Sequence, residues 1–305
     1  MSKLACVFPG QGSQSVGMLA DLAANFSSVN ATFEEASDTL GYDLWEVAQT
    51  DKQARINQTQ VTQPVLLTAS IAAWRVLCAE KPIEALFLAG HSLGEYTALV
   101  AAGVLSLTDA VKLVESRGKF MQSAVPEGTG AMYAIIGLDD DKIKDTCVKI
   151  ANETSQVVAP VNFNSPGQIV IAGDKEATDL AGAACKEAGA KRALPLAVSV
   201  PSHCALMKPA AEQLATALAQ LSFNVPRISV VNNADVCVEN TPDAIKQALV
   251  KQLYSPVRWT ESIEFLREQG IDTIIEVGPG KVLSGLNKRI DKTLNLSSFS
   301  SPADL

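Results

Sequence analysis

The chain reads Gly90-His91-Ser92-Leu93-Gly94 between a short apolar run at 84–89 and a second one at 94–102. The first run does not alternate apolar and polar residues, so it predicts a strand that is buried on both faces. The second run predicts a helix. The pattern G-x-S-x-G between a strand and a helix is typical of a nucleophile elbow, in which a sharp turn makes the serine point out of the fold. We therefore interpret Ser92 as a nucleophile, with an incidental serine in a tight turn as the alternative.

Strands and helices continue to alternate outward from this turn. Strands are predicted at 4–8, 228–232 and 273–277, and helices at 64–80 and 109–124, with Pro64 in the first turn of its helix. This order is typical of an α/β fold in which a mostly parallel sheet is covered by helices. The last ten residues are rich in serine and are expected to be frayed.

The pattern changes between residues 128 and 196. Strand, helix, strand, strand, helix and strand are predicted in that order, at 131–138, 139–152, 157–163, 168–172, 175–188 and 192–198. The middle two strands are joined by the turn Asn164-Ser165-Pro166-Gly167. The βαββαβ order is ferredoxin-like. We therefore expect a small inserted domain at 128–196, within a large domain made of 1–127 and 197–305.

Composition and charge exclude several classes of function. The chain has 305 residues and a net charge of -8, which argues against a nucleic-acid partner. An acidic protein partner would need a local basic patch. Its six cysteines are scattered without a C-x-x-C pair, which argues against a zinc site and favours a reducing cytoplasm. No run approaches the roughly 20 apolar residues that cross a bilayer, and no signal peptide is predicted.

A serine nucleophile needs a base, and the chain contains only two histidines. His91 adjoins Ser92 within the elbow, so its side chain is expected to point away from the serine hydroxyl and to play a supporting part. His203, in Val200-Pro201-Ser202-His203, is the remaining candidate base. Cys204 is a weak alternative nucleophile because it lacks an elbow. No acidic residue stands out as the third member of a triad, and a backbone carbonyl can orient a histidine instead.

Two further features leave alternatives open. Arg117 lies within an apolar stripe of its predicted helix, so it either meets a carboxylate or ligand or extends to solvent at the helix edge. The loop Gly10-Gln11-Gly12 follows the first strand without the spacing of a dinucleotide site. Such a loop could hold a phosphate or supply a hydrogen-bond donor to an oxyanion.

Six motifs together resemble the bacterial malonyl-CoA:acyl carrier protein transacylases. They span nearly the whole chain, in the order found in that family: Phe8-Pro9-Gly10-Gln11-Gly12-Ser13-Gln14, Gly90-His91-Ser92-Leu93-Gly94-Glu95-Tyr96, Arg117-Gly118-Lys119-Phe120-Met121, Asn162-Phe163-Asn164-Ser165-Pro166-Gly167, Val200-Pro201-Ser202-His203 and Glu276-Val277-Gly278-Pro279-Gly280-Lys281.

The resemblance implies a role for each matching residue. Ser92 is expected to be the nucleophile and His203 the base, oriented by the backbone carbonyl of Gln252. The backbone N–H groups of Gln11 and Leu93 would form the oxyanion hole. Substrate binding is expected from four side chains, of which the first would hold the malonyl carboxylate as a bidentate pair: Arg117, Gln63, His91 and Asn162.

The resemblance also implies a fold and an activity. The fold would be a large α/β-hydrolase-like domain with a ferredoxin-like insert. The activity would be transfer of a malonyl group from coenzyme A to the pantetheine thiol of acyl carrier protein, through an ester on Ser92, for fatty acid synthesis. No metal or bound cofactor is expected, nor a nucleic-acid or membrane partner, and the protein would be a cytoplasmic monomer. A serine hydrolase or thioesterase of the same fold, and a non-enzymatic docking module for carrier proteins, are the alternatives.

Overall fold

The computed structural model describes residues 3–197 and 200–305. Its strands, in chain order, are β1 Leu4–Phe8, β2 Ala85–Gly90, β3 Gly130–Ile136, β4 Val158–Ser165, β5 Gln168–Asp174, β6 Arg192–Pro195, β7 Ser229–Val231, β8 Thr273–Val277 and β9 Asn295–Phe299. Its α-helices are α1 Ala20–Asn25, α2 Ser27–Leu40, α3 Leu44–Gln49, α4 Thr59–Glu80, α5 Leu93–Ala101, α6 Leu107–Ala124, α7 Asp140–Thr154, α8 Lys175–Glu187, α9 Lys208–Ala219, α10 Pro242–Tyr254, α11 Trp259–Glu268 and α12 Val282–Ile290.

The larger sheet has five strands in the order β7-β2-β1-β8-β9, and the pairings between them are parallel. Successive residues of the central strand β1 enter two different cores. Cys6 and Phe8 pack with α4 and α6 on one side, whereas Ala5 and Val7 pack with α11 and α12 on the other. A parallel sheet covered on both faces is the arrangement predicted for an α/β fold, and that prediction is confirmed.

The smaller sheet has four strands in the order β4-β5-β3-β6, all antiparallel. Helices α7 and α8 cover one face of it. This is the ferredoxin-like arrangement, and its strands fall within Gly130–Pro195. The sheet is tied to the rest of the protein at Val257, which exchanges backbone hydrogen bonds of 2.9 and 2.8 Å with Phe163 and Val161. The domain limits at 128 and 196 stay a prediction.

Helix α4 differs from its prediction in two respects. It begins at Thr59, five residues before Pro64, so the proline lies in the second turn and not in the first. The apolar pattern starts only at Pro64, which is why the polar first turn was missed. The helix is also long and apolar enough to cross a membrane by length and composition, so the expectation that no run qualifies was wrong. However, 83% of its apolar window is buried inside the protein, as in a core helix.

Strand β2 is not buried along its whole length. Leu86 is 48% exposed, because it precedes the three residues of β2 that pair with β7. Burial on both faces holds from Leu88 to Gly90, the half of the strand that leads into the elbow.

The end of the chain is ordered and not frayed. Strand β9 pairs with the whole of β8, and Phe299 at its end is 1% exposed. A 3₁₀ turn follows, in which Ser301 and Asp304 form a capping box. Ser297 and Ser298 thus belong to an edge strand whose backbone is held by β8. Strand β6 ends at Pro195, and Val198, where it was predicted to end, lies outside the described residues.

Candidate active site

The turn between β2 and α5 places Ser92 at the carboxyl edge of the parallel sheet. Its φ of 53° and ψ of -106° are a strained backbone conformation for a residue with a side chain. A side chain on Gly90 would overlap the backbone of Gly94, and one on Gly94 would overlap the carbonyl of Phe8. Only glycine fits at these two positions, so strand, turn and helix pack closely and Ser92 projects from them, as an elbow requires.

Ser92 and His203 meet across 111 residues of chain. Ser92 Oγ lies 2.7 Å from His203 Nε2, and His203 Nδ1 lies 2.8 Å from the backbone oxygen of Gln252. A carbonyl oxygen only accepts, so Nδ1 carries the proton and Nε2 is free to accept one from the serine. The predicted spatial grouping of Ser92, His203 and the Gln252 carbonyl is therefore present.

The surroundings of His203 keep its ring neutral. The side chain is buried, and burial, with the nearby positive charge of Arg117 as the second cause, lowers its pKa to about 3. The unprotonated ring is the form that can accept a proton, so at neutral pH the histidine is ready to act as a base.

Arg117 lies on the buried side of α6 and not at its edge. It is 1% exposed and stands over the ring of Tyr96. Its Nη1 donates to Gln63 Oε1 at 2.7 Å, and its Nη2 donates to Gln252 Oε1 at 3.1 Å and to Ser92 Oγ at 3.3 Å. Within the described residues no carboxylate comes within ion-pair distance of it. The guanidinium is thus buried beside the nucleophile with neutral partners only.

The oxyanion candidates and the remaining predicted residues surround the same cleft. Its lining includes Gln11, Leu93 and Asn162 next to Ser92. Leu93 is the first residue of α5, so its N–H has no partner within the helix. The Asn162 Oδ1 is buried and has no hydrogen-bond partner in the described part of the chain. A second cleft adjoins the first and shares Gln11, His91 and Asn162 with it.

The side chain of His91 points to Asn164 and not to Ser92. Its Nε2 lies 2.8 Å from Asn164 Oδ1, and its ring packs at 5.7 Å from that of Trp259. The ring therefore points away from the serine hydroxyl, as its position beside Ser92 predicted, and its supporting role stays a prediction.

Two buried polar residues near the serine were missed. Glu95 Oε2 accepts from the backbone N–H of Asn233 at 2.9 Å and from Gln252 Nε2 at 2.8 Å. Asn233 Oδ1 in turn accepts from the N–H of Ser92 at 2.7 Å. Burial raises the pKa of Glu95 to about 7. A charge inside the apolar helix α5 was a usable sequence signal for Glu95, of the same kind that drew attention to Arg117, whereas nothing marked Asn233.

Comparison with known proteins agrees with this geometry. The acyl transferase domain family matches residues 5–299. The chain is 61% identical over 305 residues to the malonyl CoA-acyl carrier protein transacylase of Salmonella typhimurium, covering 100% of this chain and 98% of that one. It belongs to the bacterial malonyl-CoA:acyl carrier protein transacylase family. The resemblance seen in the motifs is therefore confirmed.

Relatives and solved structures extend the same likeness. The transacylase of Haemophilus influenzae is 62% identical over 291 residues, which are 95% of this chain and 93% of that protein. The acyl carrier protein S-malonyltransferase of Vibrio cholerae has a TM-score of 0.96 and 60% identity, covering 99% and 98% of the two chains. A malonyl-transacylase solved in complex with a type II PKS acyl-carrier protein has a TM-score of 0.97 and 59% identity, covering 99% and 97%.

Proposed function

We propose that this protein transfers a malonyl group from coenzyme A to the pantetheine thiol of acyl carrier protein, through an ester on Ser92, and so supplies fatty acid synthesis. The observation that carries the proposal is the buried guanidinium of Arg117, 3.3 Å from the serine hydroxyl and without a carboxylate partner among the described residues. A buried guanidinium without a carboxylate in direct contact is costly, and a malonyl group brings such a carboxylate to the reacting serine.

In the first half-reaction Ser92 Oγ attacks the thioester carbonyl carbon while His203 Nε2 takes the hydroxyl proton. The backbone N–H groups of Gln11 and Leu93 stabilise the negative oxygen of the tetrahedral intermediate. The carbon–sulfur bond then breaks, and the proton on His203 passes to the departing coenzyme A sulfur. A malonyl ester on Ser92 remains.

The second half-reaction reverses these steps with a different thiol. His203 takes the proton of the pantetheine thiol, the sulfur attacks the ester carbonyl, and the serine oxygen leaves with that proton. The Gln252 carbonyl keeps His203 in the productive tautomer in both directions. Arg117 holds the malonyl carboxylate as a bidentate pair throughout, with Gln63 behind it and His91 and Asn162 along the cleft.

Arg117 favours an enzyme that is selective for malonyl groups over a general hydrolase or thioesterase of the same fold, which would need the serine and the histidine but not a buried arginine. Transfer and hydrolysis are distinguished by the acceptor of the acyl group. The test is to mix the protein with malonyl-CoA alone and then with acyl carrier protein. Malonyl-enzyme followed by malonyl-carrier supports the proposal, whereas free malonate formed at the same rate with and without carrier would establish a hydrolase.

Substituting Arg117 should change the choice of acyl group. Acetyl-CoA has no carboxylate, so it leaves the buried charge unpaired at a cost on the order of 3 kcal/mol, more than about a hundredfold in discrimination. Arg117→Ala is expected to lose malonyl transfer and to gain relative activity on acetyl-CoA. Arg117→Lys should fall between, because it has one point charge and no fork.

The measurement for Arg117 is kcat/KM for malonyl-CoA and acetyl-CoA in the three proteins. If the two activities fall together and their ratio stays constant, Arg117 is a structural residue and malonyl recognition lies elsewhere.

The carrier protein is proposed to dock on a basic patch near the mouth of the cleft. Its members are exposed, two at the edge of the smaller sheet and two in the last turn of α12: Lys191, Arg192, Lys288 and Arg289. Arg289 Nη1 donates to Gln168 Oε1, so it also joins α12 to β5. Since the chain is acidic overall, this local positive surface would attract an acidic partner.

Reversing Lys288 and Arg289 to glutamate should raise the KM for carrier protein by roughly tenfold or more and leave malonyl-CoA kinetics alone. The matched control reverses Lys142 and Lys149, both exposed on α7, which covers the face of the smaller sheet away from Cys204 and the cleft. Equal effects of the two charge reversals on carrier kinetics would count against this docking patch.

Further parts of the proposal concern the setting of the reaction. Acyl transfer between a thiol and a hydroxyl involves no redox change, and His203 and the N–H donors supply proton transfer and charge stabilisation, so we assign no metal or bound cofactor. We place the protein in the cytoplasm, where its six free thiols would stay reduced. We also propose that it is a monomer without a nucleic-acid or membrane partner, and that 128–196 forms an inserted domain within 1–127 and 197–305.

A further inference from the structure

Glu95 is a buried carboxylate that the proposed reaction does not use. It lies on α5, one turn after Ser92, and is 2% exposed. Burying a carboxylate is costly unless hydrogen bonds compensate, and Oε2 accepts two, from Asn233 N at 2.9 Å and from Gln252 Nε2 at 2.8 Å. The second of these leads directly to the arginine of the site.

The side-chain amide of Gln252 lies between the carboxyl group of Glu95 and the guanidinium of Arg117. Its Nε2 donates to Glu95 Oε2 and, at 3.0 Å, to the backbone oxygen of Ser92. Its Oε1 accepts from Arg117 Nη2 at 3.1 Å. The Ser92 carbonyl cannot donate and the Arg117 guanidinium cannot accept, so only this orientation of the amide satisfies both, with Nε2 also donating to Glu95 Oε2. A flipped amide would set its NH₂ group against the guanidinium.

We propose that Glu95 is a positioning residue for acyl-group selection, which orients the Gln252 amide so that its oxygen holds the Arg117 guanidinium ready for the substrate carboxylate. This inference rests on the proposed malonyl transfer. The intervening amide has a clear physical advantage over a direct ion pair. A carboxylate in contact with Arg117 would compete with the malonyl group, whereas Glu95 acts through the Gln252 amide, whose oxygen carries no net charge, and Arg117 Nε has no partner among the described residues.

Glu95 also has a second route to the site. Glu95 accepts a hydrogen bond from the backbone N–H of Asn233. The Asn233 side chain in turn accepts from the Ser92 N–H on Oδ1 at 2.7 Å, and its Nδ2 donates to the Gly90 oxygen at 2.8 Å. This route supports the elbow, which serves every acyl group equally. Loss of the Gln252 route would therefore change the malonyl-to-acetyl ratio, and loss of the Asn233 route would lower both rates by the same factor.

The experiment measures acylation of Ser92 by malonyl-CoA and by acetyl-CoA, with rapid quenching and intact mass. Glu95→Met keeps the volume of the side chain and removes the acceptor. It should lower the malonyl-to-acetyl ratio about 10- to 100-fold, since a guanidinium misplaced by about 1 Å loses its geometry. Glu95→Gln should restore most of the ratio, because its Oε1 can accept both bonds in place of Oε2.

A double-mutant cycle traces the route. Gln252→Met removes the amide but keeps the backbone carbonyl that accepts from His203, and it should lower the ratio by itself. In that background Glu95→Met should change the ratio no further. A ratio unchanged in Glu95→Met, or a full further drop in the double variant, would overturn the proposal. Should Glu95→Met fail to fold, an unchanged ratio in Gln252→Met alone overturns it.

The matched control is Glu276→Gln, at another buried carboxylate. Glu276 accepts from the N–H groups of Leu283 and Ser284 and lies outside the Ser92 network, so its variant should keep the ratio. A crystal structure of Glu95→Met gives a readout independent of activity, since Gln252 and Arg117 should be displaced. Unmoved side chains would refute the positioning role, whereas wild-type protein that forms no malonyl ester would count against the proposed function alone.

Discussion

Ser92→Ala is expected to abolish both the malonyl adduct and the transfer to carrier protein. The serine Oγ is the atom that His203 Nε2 reaches at 2.7 Å, and without it the base has no hydroxyl to activate. Loss of a serine nucleophile costs on the order of 10⁶ in rate, so no adduct should be detectable. The measurement is intact mass after mixing with malonyl-CoA and no acceptor, with thermal unfolding to show that the fold is kept.

Two other side chains make this test specific. Ser202 lines the same cleft, so Ser202→Ala is the matched control and should still form the adduct. Cys204 is the other conceivable nucleophile, but it is 2% exposed and burial raises the pKa of its thiol to about 11, which keeps it protonated. An adduct that persisted on the alanine variant would assign the chemistry to another residue.

Much of the fold could be predicted because local patterns determine it. The alternation of apolar runs indicated the parallel sheet, and the spacing of the two glycines around Ser92 indicated the elbow. The errors occur where distant pairing outweighs local pattern. Strand β9 looks like a polar tail in sequence and is ordered by its ladder with β8, and Leu86 looks buried but precedes the pairing with β7.

The sequence predicted some residues of the candidate site and not others. The G-x-S-x-G pattern predicted Ser92, the choice between two histidines predicted His203, and the family resemblance supplied Gln252 and the expected role of Arg117; the structure brings the four together, and their roles stay proposals. Sequence reasoning alone left open whether Arg117 meets a ligand or extends to solvent. No local pattern shows that Gln63, 54 residues away, and Gln252, 135 residues away, both contact it. Asn233 could not be found for the same reason, because its contact with Ser92 spans 141 residues.

His203→Ala should slow both half-reactions, because in the proposed reaction the same ring takes the proton of Ser92 in the first and that of the carrier thiol in the second. Loss of a general base costs about 10² to 10⁴ in rate. The measurement is the rate of acylation by malonyl-CoA and, separately, the rate at which isolated malonyl-enzyme passes its acyl group to carrier protein. Acylation that slows while the second transfer does not would require another base for that step.

The loss of rate in His203→Ala should not depend on which acyl group is transferred. The ring is hydrogen-bonded to the serine and to the Gln252 carbonyl, whereas the guanidinium is hydrogen-bonded to Gln63 and Gln252, so removing the ring should leave the bonds of the guanidinium in place. The rates with malonyl-CoA and acetyl-CoA should therefore fall by the same factor, in contrast to Arg117→Ala, where their ratio changes. If His203→Ala altered that ratio as strongly as Arg117→Ala, proton transfer and carboxylate recognition would not be separate tasks of separate side chains. His203 and Arg117 would then have to act together in both proton transfer and carboxylate recognition.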